Sequence, residues 1–301
     1  MLDARRELLA FQDEPPQLPS GSFGKKGHLR LGFERQGPRT ILRTLHRRAP
    51  FIVQQALYWD EAMPDLPCVT MISNGGGILQ GDRNTVVVEL GPQAQAHLTT
   101  QSMTRIHEMD CNYATQDQTI TLAEGAYLEF VPHPIAPHRN SRYAQRTAIT
   151  LHPTATLVYS EVVTSGRKHY GDGEAFAYHL FASSVAAARP DGATLFSERI
   201  VLEPQRAPLS RLGMMGDCHV FGTLVVLTPP ADAAAILETV TPGLDLGGVA
   251  VGASRLPNEA GLMARVLGHE SAPVVRAIRS IWARVRERVA GRPLPERFLW
   301  A

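Results

Sequence analysis

The side chains best suited to chemistry in this 301-residue chain are scattered carboxylates, imidazoles and thiols. His133-Pro-Ile-Ala-Pro-His138 puts two imidazoles in an extended, proline-stiffened segment, shortly after Glu129 on an apolar run. Asp82 follows a cluster of glycines, and Glu161 lies on an apolar run ending at Gly166-Arg167. His107-Glu-Met-Asp110-Cys111 and Cys218-His219 add softer donors. Imidazole suits nickel, copper or zinc, and thiolate suits the softer ions. No Cys-x-x-Cys pair, His-Glu-x-x-His helix or Gly-x-Ser-x-Gly elbow is present, so no closed metal site or nucleophile is signalled. A histidine pair among prolines also reads as plain loop structure.

The glycines raise a second chemistry, phosphate binding, and their spacing excludes it. In Ser73-Asn-Gly-Gly-Gly-Ile-Leu-Gln-Gly-Asp-Arg83, Gly76 and Gly81 are five apart, as in a phosphate-binding loop. The next residues are Asp82-Arg83, not Lys-Ser/Thr, and a carboxylate there repels a nucleotide. Gln80 occupies the third glycine position of a dinucleotide fingerprint. What remains is a tight turn or bulge in which backbone needs positive φ or a close approach.

The elements that must position these residues are mostly strands. His28-Leu-Arg-Leu-Gly-Phe-Glu34 alternates, Gly37-Pro38 turns and Thr40-Ile-Leu-Arg-Thr-Leu45 follows, which predicts a first hairpin. Residues 25–48 hold eight Lys/Arg against Glu34 alone, readable as a solvated strand face or as a docking surface for an acidic partner. A faint repeat follows. Strand-like runs end at Leu90, Leu122 and Leu151, and Ala94, Ala126 and Ala155 stand four residues later, before a second run. No helical crossovers separate the copies, so stacked strands are favoured over a doubly wound α/β sheet. Pro190-Asp-Gly192 marks another hairpin, with a strand expected before it. Helices are expected near 231–240, 258–267 and 271–289. In the last, Ser271 is placed to cap, Gly291 to stop, and Val274, Ile278, Ile281 and Val285 to form a buried stripe. Arg276, Arg279, Arg284, Arg286 and Arg288 then make the polar side, with Trp282 on or near the surface.

Composition narrows the class. A net charge of +1 gives no reason to expect a polyanion, and the basic segments lack interleaved aromatics, so no nucleic-acid partner is expected. No apolar run reaches membrane-spanning length, Met1 to Gln12 lacks a signal-peptide core, and three dispersed cysteines fit a reducing compartment. The expectation is a cytoplasmic protein without a membrane association: a flexible segment 1–26, then one β-rich domain over 27–301.

The glycine run, Leu98-Thr-Thr-Gln-Ser102, Leu128-Glu-Phe-Val-Pro132 and Glu161-Val-Val-Thr-Ser-Gly-Arg167 with Gly173-Glu174 occur in an order that resembles the UreD (UreH) urease accessory family. The likeness runs from Gly27-His-Leu-Arg-Leu-Gly-Phe-Glu-Arg35 to the closing Arg297-Phe-Leu-Trp300. It implies a mainly β scaffold with C-terminal α-helices, stacked, β-helix-like or in layered sheets. It also implies a non-enzymatic chaperone working with UreF-like and UreG-like (GTPase) proteins on apo-urease to install nickel. Nickel(2+) is then handled transiently, with no tightly bound cofactor, because a closed site would hold the ion. The expected metal-guiding set is Asp82, Glu129, His133, His138 and Glu161. The expected partner-binding set is Arg276, Arg279, Trp282 and Arg284. The competing reading is a metal-dependent β-fold enzyme built on the His133/His138 segment, which needs a third convergent ligand.

Overall fold

The computed structural model describes residues 5–12, 26–211, 213–244 and 248–296. The alternating runs become strands. β1 (His28–Gln36) and β2 (Arg39–Arg48) form the expected antiparallel hairpin. β2 ends its sheet, with Arg39, Arg43, Arg47 and Arg48 exposed, and charge on an edge strand opposes edge-to-edge pairing. The short β3 (Phe51–Ile52) leads into β4 (Cys68–Ser73).

The repeat then lays one strand in each of two sheets per copy. β5 (Arg83–Leu90) and β6 (Gln95–Thr100) make the first copy, followed by the short β7 (Thr104–Ile106). β8 (Ala114–Leu122) and β9 (Tyr127–Phe130) make the second, followed by β10 (Ile135–Pro137). β11 (Arg142–Leu151) and β12 (Thr156–Thr164) make the third. β5, β8 and β11 are parallel neighbours in one sheet, and β6, β9 and β12 in the other. Leu90, Leu122 and Leu151 share one register line, and Ala94, Ala126 and Ala155 are buried just past the corner. Parallel strands usually need a helical crossover; here the return strand in the opposite sheet serves instead, which gives the stacked, layered scaffold expected from the repeat.

β13 (Leu180–Ala188) and β14 (Thr194–Leu202) turn about Pro190-Asp-Gly192 and complete a seven-stranded sheet in the order β14-β13-β11-β8-β5-β1-β2. β15 (Val220–Leu227), α1 (Pro230–Thr239), β16 (Val249–Arg255), β17 (Gly261–Gly268) and α2 (Ser271–Ala290) follow. β15, β17 and β16 extend the second sheet beyond β12. One core fills the space between the sheets, and a second lies between the outer face of the larger sheet and the two helices. Among the described residues no helix is long and apolar enough to cross a membrane.

The helix expected at 258–267 is instead a three-residue turn of 3-10 helix, Pro257–Glu259, and then β17. Leu262, Ala264 and Val266 alternate onto the helix-covered core, and β17 pairs on both sides. Sheet pairing overrides the local helical propensity. Of segment 1–26, Arg6–Phe11 forms a 3-10 helix whose Leu8 is buried with Ala144, Leu180 and Ala182. Residues 1–4, 13–25 and the closing 297–301 lie outside the described residues.

The glycine run is a turn, as its failed phosphate-loop spacing implied. Gly76 (φ 71) has open space where a Cβ would stand, whereas a Cβ on Gly77 (φ 148) would lie 2.3 Å from the Arg105 carbonyl oxygen. That carbonyl accepts from Ile78 N–H at 2.8 Å, so it cannot retreat cheaply. Asp82 is buried in the same turn, and its Oδ2 accepts from Leu79 N–H at 2.9 Å.

α2 ends at Gly291 in the left-handed region and buries Val274, Ile278, Ile281 and Val285 as expected. Its cap position is Glu270, with no side-chain cap bond, rather than Ser271. Two further expectations fail. Trp282 is only 3% exposed and Arg286 is 0% exposed. Trp282 stacks on His97 with ring centroids 5.4 Å apart. The Arg286 guanidinium donates to both oxygens of Glu129, at 2.7 and 2.8 Å, and to Asp60 Oδ2 at 2.5 Å. Glu129 also accepts from Tyr127 Oη–H at 2.7 Å and pairs with His97 Nδ1 at 3.0 Å. Burial alone would raise the Glu129 pKa, but the bonds from His97 and Arg286 override it and hold the group down at about 2.

Three stability outcomes follow from this packing. Arg286→Met strands two buried carboxylates and is expected to cost about 3–5 kcal/mol in urea unfolding of the full chain; a loss below about 1 kcal/mol would show that the helix is held by its apolar stripe alone. Because Glu129 titrates below its ordinary 4.5, its contribution is complete above that pH and disappears as pH falls towards about 2. Gly77→Ala is expected to lower Tm more than Gly76→Ala, since only the first meets backbone, while both carry the left-handed penalty of about 1 kcal/mol. Equal melting temperatures would refute that distinction.

Candidate functional site

Between the two sheets lies a cavity of about 220 Å³, mostly apolar in its wall with a cluster of polar side chains set into it. β12 presents Tyr159 and Glu161 to it, β11 presents Tyr143 and Gln145, β8 presents Gln116 and Gln118, and Gly76 and Gly77 close one side. Alternation along β12 explains the set. Leu157 and Tyr159 belong to the inter-sheet core, and Glu161 continues that face, while Val158 and Val162 pack under the helices. Gln145 Nε2 donates to Glu161 Oε2 at 2.8 Å and to Tyr159 Oη at 3.2 Å, and Ser183 Oγ donates to the same Oε2 at 2.9 Å. Both bonds to Glu161 land on Oε2; among the described residues none reaches Oε1.

Burial pushes the Glu161 carboxyl up to about 7, only partly relieved by the Ser183 hydrogen bond. A carboxyl that titrates there changes its charge near neutral pH. Two buried polar atoms of the lining, Asn84 Oδ1 and Ser160 Oγ, have no hydrogen-bond partner among the described residues. Ser160 and His133 line this cavity and also a second one of about 100 Å³ beneath α2, where Arg279 and Trp282 form part of the wall. With Pro132, which also lines both, Ser160 and His133 therefore form the boundary between the two spaces. Burial lowers the His133 pKa, keeping its imidazole neutral and able to ligate.

The five expected metal-guiding residues do not converge. Glu161 and His133 line the same cavity. Glu129 is consumed by the Arg286 pair and Asp82 by its turn, so neither is positioned as a ligand. His138 is buried, sits edge-on to His107 at 5.1 Å, and is pushed down to about 4 by burial and by Arg167. Among the described residues no third ligand joins His133 and His138, so the metalloenzyme reading loses its geometric basis. Of the expected partner-binding set, Arg276 and Arg284 are exposed. Arg279 is half-buried and donates to the Pro295 and Glu296 carbonyls, and Trp282 is in the core.

Sequence reasoning missed Gln145, Ser160 and Ser183. One signal was present: Ser160-Glu161 interrupts an otherwise apolar strand, a placement that requires polar company. Arg167 and Glu174 of the quoted motif meet in a two-bonded ion pair, at 2.8 and 2.7 Å, which folds the loop after β12 back on itself.

The sequence profile of the family described as UreD urease accessory protein matches residues 25–301. Among relatives, urease accessory protein UreD 2 of Brucella suis is 61% identical over 302 residues, covering 100% of both chains. Urease accessory protein UreD of Photorhabdus laumondii is 50% identical over 295 residues, covering 98% of this chain and 92% of its own. That of Yersinia enterocolitica is 50% identical over 303 residues, with the same coverage. These are accessory proteins of urease maturation, not enzymes, and the sheet order, the glycine turn and the buried motif residues sit within the matched span. The chain belongs to the UreD family of urease accessory proteins.

Proposed function

We propose that this chain is the scaffold subunit of a cytoplasmic nickel-insertion complex, assembling with UreF-like and UreG-like (GTPase) proteins on apo-urease and passing nickel(2+) without retaining it. The observation that carries this reading is the inter-sheet cavity. It has one carboxyl poised to exchange a proton for a cation, a neutral imidazole at its boundary and unpaired buried oxygens along its wall. Nickel accepts oxygen and imidazole donors, and a sparse, incomplete donor set gives the weak, exchangeable binding that transfer needs. Glu161 and His133 are the residues expected to guide the ion. Arg276 and Arg284, on the outer face of α2, are the residues expected to meet a partner, arginine being a frequent interface anchor.

Calorimetry of the purified full chain is expected to give micromolar or weaker nickel affinity. It should strengthen between about pH 6 and about pH 8 as Glu161 loses its proton. Nanomolar affinity would reject transfer. Glu161→Gln is expected to keep the complex assembled while lowering nickel-dependent urease activation about tenfold or more; full activation by an assembled variant would remove the cavity from the route. Reversing Arg276 and Arg284 to Glu is expected to weaken co-purification of the partners, most at low salt where exposed charges are least screened, with Tm nearly unchanged. Capture equal to that of the parent would mean that α2 is only a lid on the core.

A further inference from the structure

We propose that Asp217, Cys218 and His269 form a surface site for a borderline divalent transition-metal ion, separate from the inter-sheet cavity. The sheet register brings the three together. β15 and β17 are antiparallel with Val220 opposite Gly268, and His219 N–H donates to the Gly268 carbonyl at 3.0 Å. The residues just before β15 therefore meet the residue just after β17. One carboxylate oxygen, the Cys218 Sγ and a His269 ring nitrogen all lie within 4.8 Å of one another.

The imidazole is oriented for ligation. His269 Nδ1 lies 3.1 Å from the Asp217 main-chain carbonyl oxygen, which only accepts, so Nδ1 carries the proton. Nε2 is left with its lone pair, 3.8 Å from Asp217 Oδ2. A main-chain carbonyl fixing the tautomer of a histidine is the usual outer-shell support of a metal-binding imidazole. At bond lengths of about 2.0–2.3 Å, one ion spans donors about 4 Å apart, so the triad needs only a small closure. Thiolate, imidazole and carboxylate together suit zinc, nickel or cobalt and disfavour magnesium and calcium.

The surroundings agree. Asp217 and His269 are exposed and Cys218 is half-buried, which leaves a further position open to water and makes the ion exchangeable. The nearest ammonium, Lys168, donates to the His269 carbonyl at 2.8 Å and to Glu270 at 2.5 Å, so its charge is neutralised rather than aimed at the site. The inference holds whether or not the cavity carries nickel.

Titrating the purified full chain with Co²⁺ is expected to raise a thiolate-to-cobalt charge-transfer band at one equivalent. Cys218→Ser should abolish the band, His269→Ala should weaken affinity at least about tenfold, and Cys111→Ser should change nothing. A band that survives Cys218→Ser overturns the proposal. A second measurement needs no cysteine variant. Zn²⁺ should slow alkylation of Cys218 in the parent chain and not in His269→Ala, with circular dichroism confirming that both are folded. Alkylation of the parent at the same rate with and without Zn²⁺ would equally overturn it. Neither readout involves urease activation, so the outcome is independent of the nickel-transfer reading.

Discussion

A single guanidinium between two carboxylates, all out of contact with water, fixes where α2 sits on the outer face of the larger sheet. Arg286 comes from α2, Glu129 from β9 and Asp60 from the loop before β4. Three segments distant in sequence are thereby locked into one arrangement. Burying ions costs several kcal/mol each in desolvation, and mutual attraction recovers that only when geometry is good and the remaining lone pairs are satisfied. Here they are: Tyr127 and His97 complete Glu129, and the Ala62 and Met63 N–H groups complete Asp60 at 3.0 and 3.1 Å. An apolar replacement of the whole group would hold α2 about as firmly. What the ions add is position, because an apolar stripe slides where a forked pair does not.

The same sheet carries a second carboxyl with the opposite behaviour. β9 pairs in parallel with β12, with Glu129 beside Val158 and Phe130 beside Tyr159. Side chains alternate across a strand, so Glu129 and Val158 face the helices whereas Phe130, Tyr159 and Glu161 face the other sheet. Glu129 meets a guanidinium and is held at about 2, while Glu161 meets amides and hydroxyls and is raised to about 7. Both are buried. The difference lies in the company each keeps: a permanent cation turns one into a tether, and neutral donors leave the other able to exchange its proton.

An accessory protein in urease maturation needs surfaces for assembly more than a catalytic constellation. The two-layer coil suits that role. Its parallel strands are joined through the opposite sheet, and its helices form a separate outer layer. The glycine turn lets backbone approach the Arg105 carbonyl where a side chain would block it.

Much of this was readable from the residues. Period two, the Leu-to-Ala grammar of the repeats, the failed phosphate-loop spacing and the apolar stripe of α2 are local patterns, and local patterns dictate element type. Glu161 and His133 were identifiable as chemically able side chains for the same reason. Tertiary structure decided the rest. Residues 258–267 look helical until a strand on either side claims their backbone. Arg286 looks solvated although its spacing, four residues after Trp282 and eight after Ile278, puts it on the buried face; only the arrival of Glu129 and Asp60 from other strands makes burial affordable. Glu129 and Glu161 are alike in sequence, and nothing along the chain says which will meet a cation. Charge pairing at long range is set by which strands become neighbours, and that information exists only once the sheets have formed.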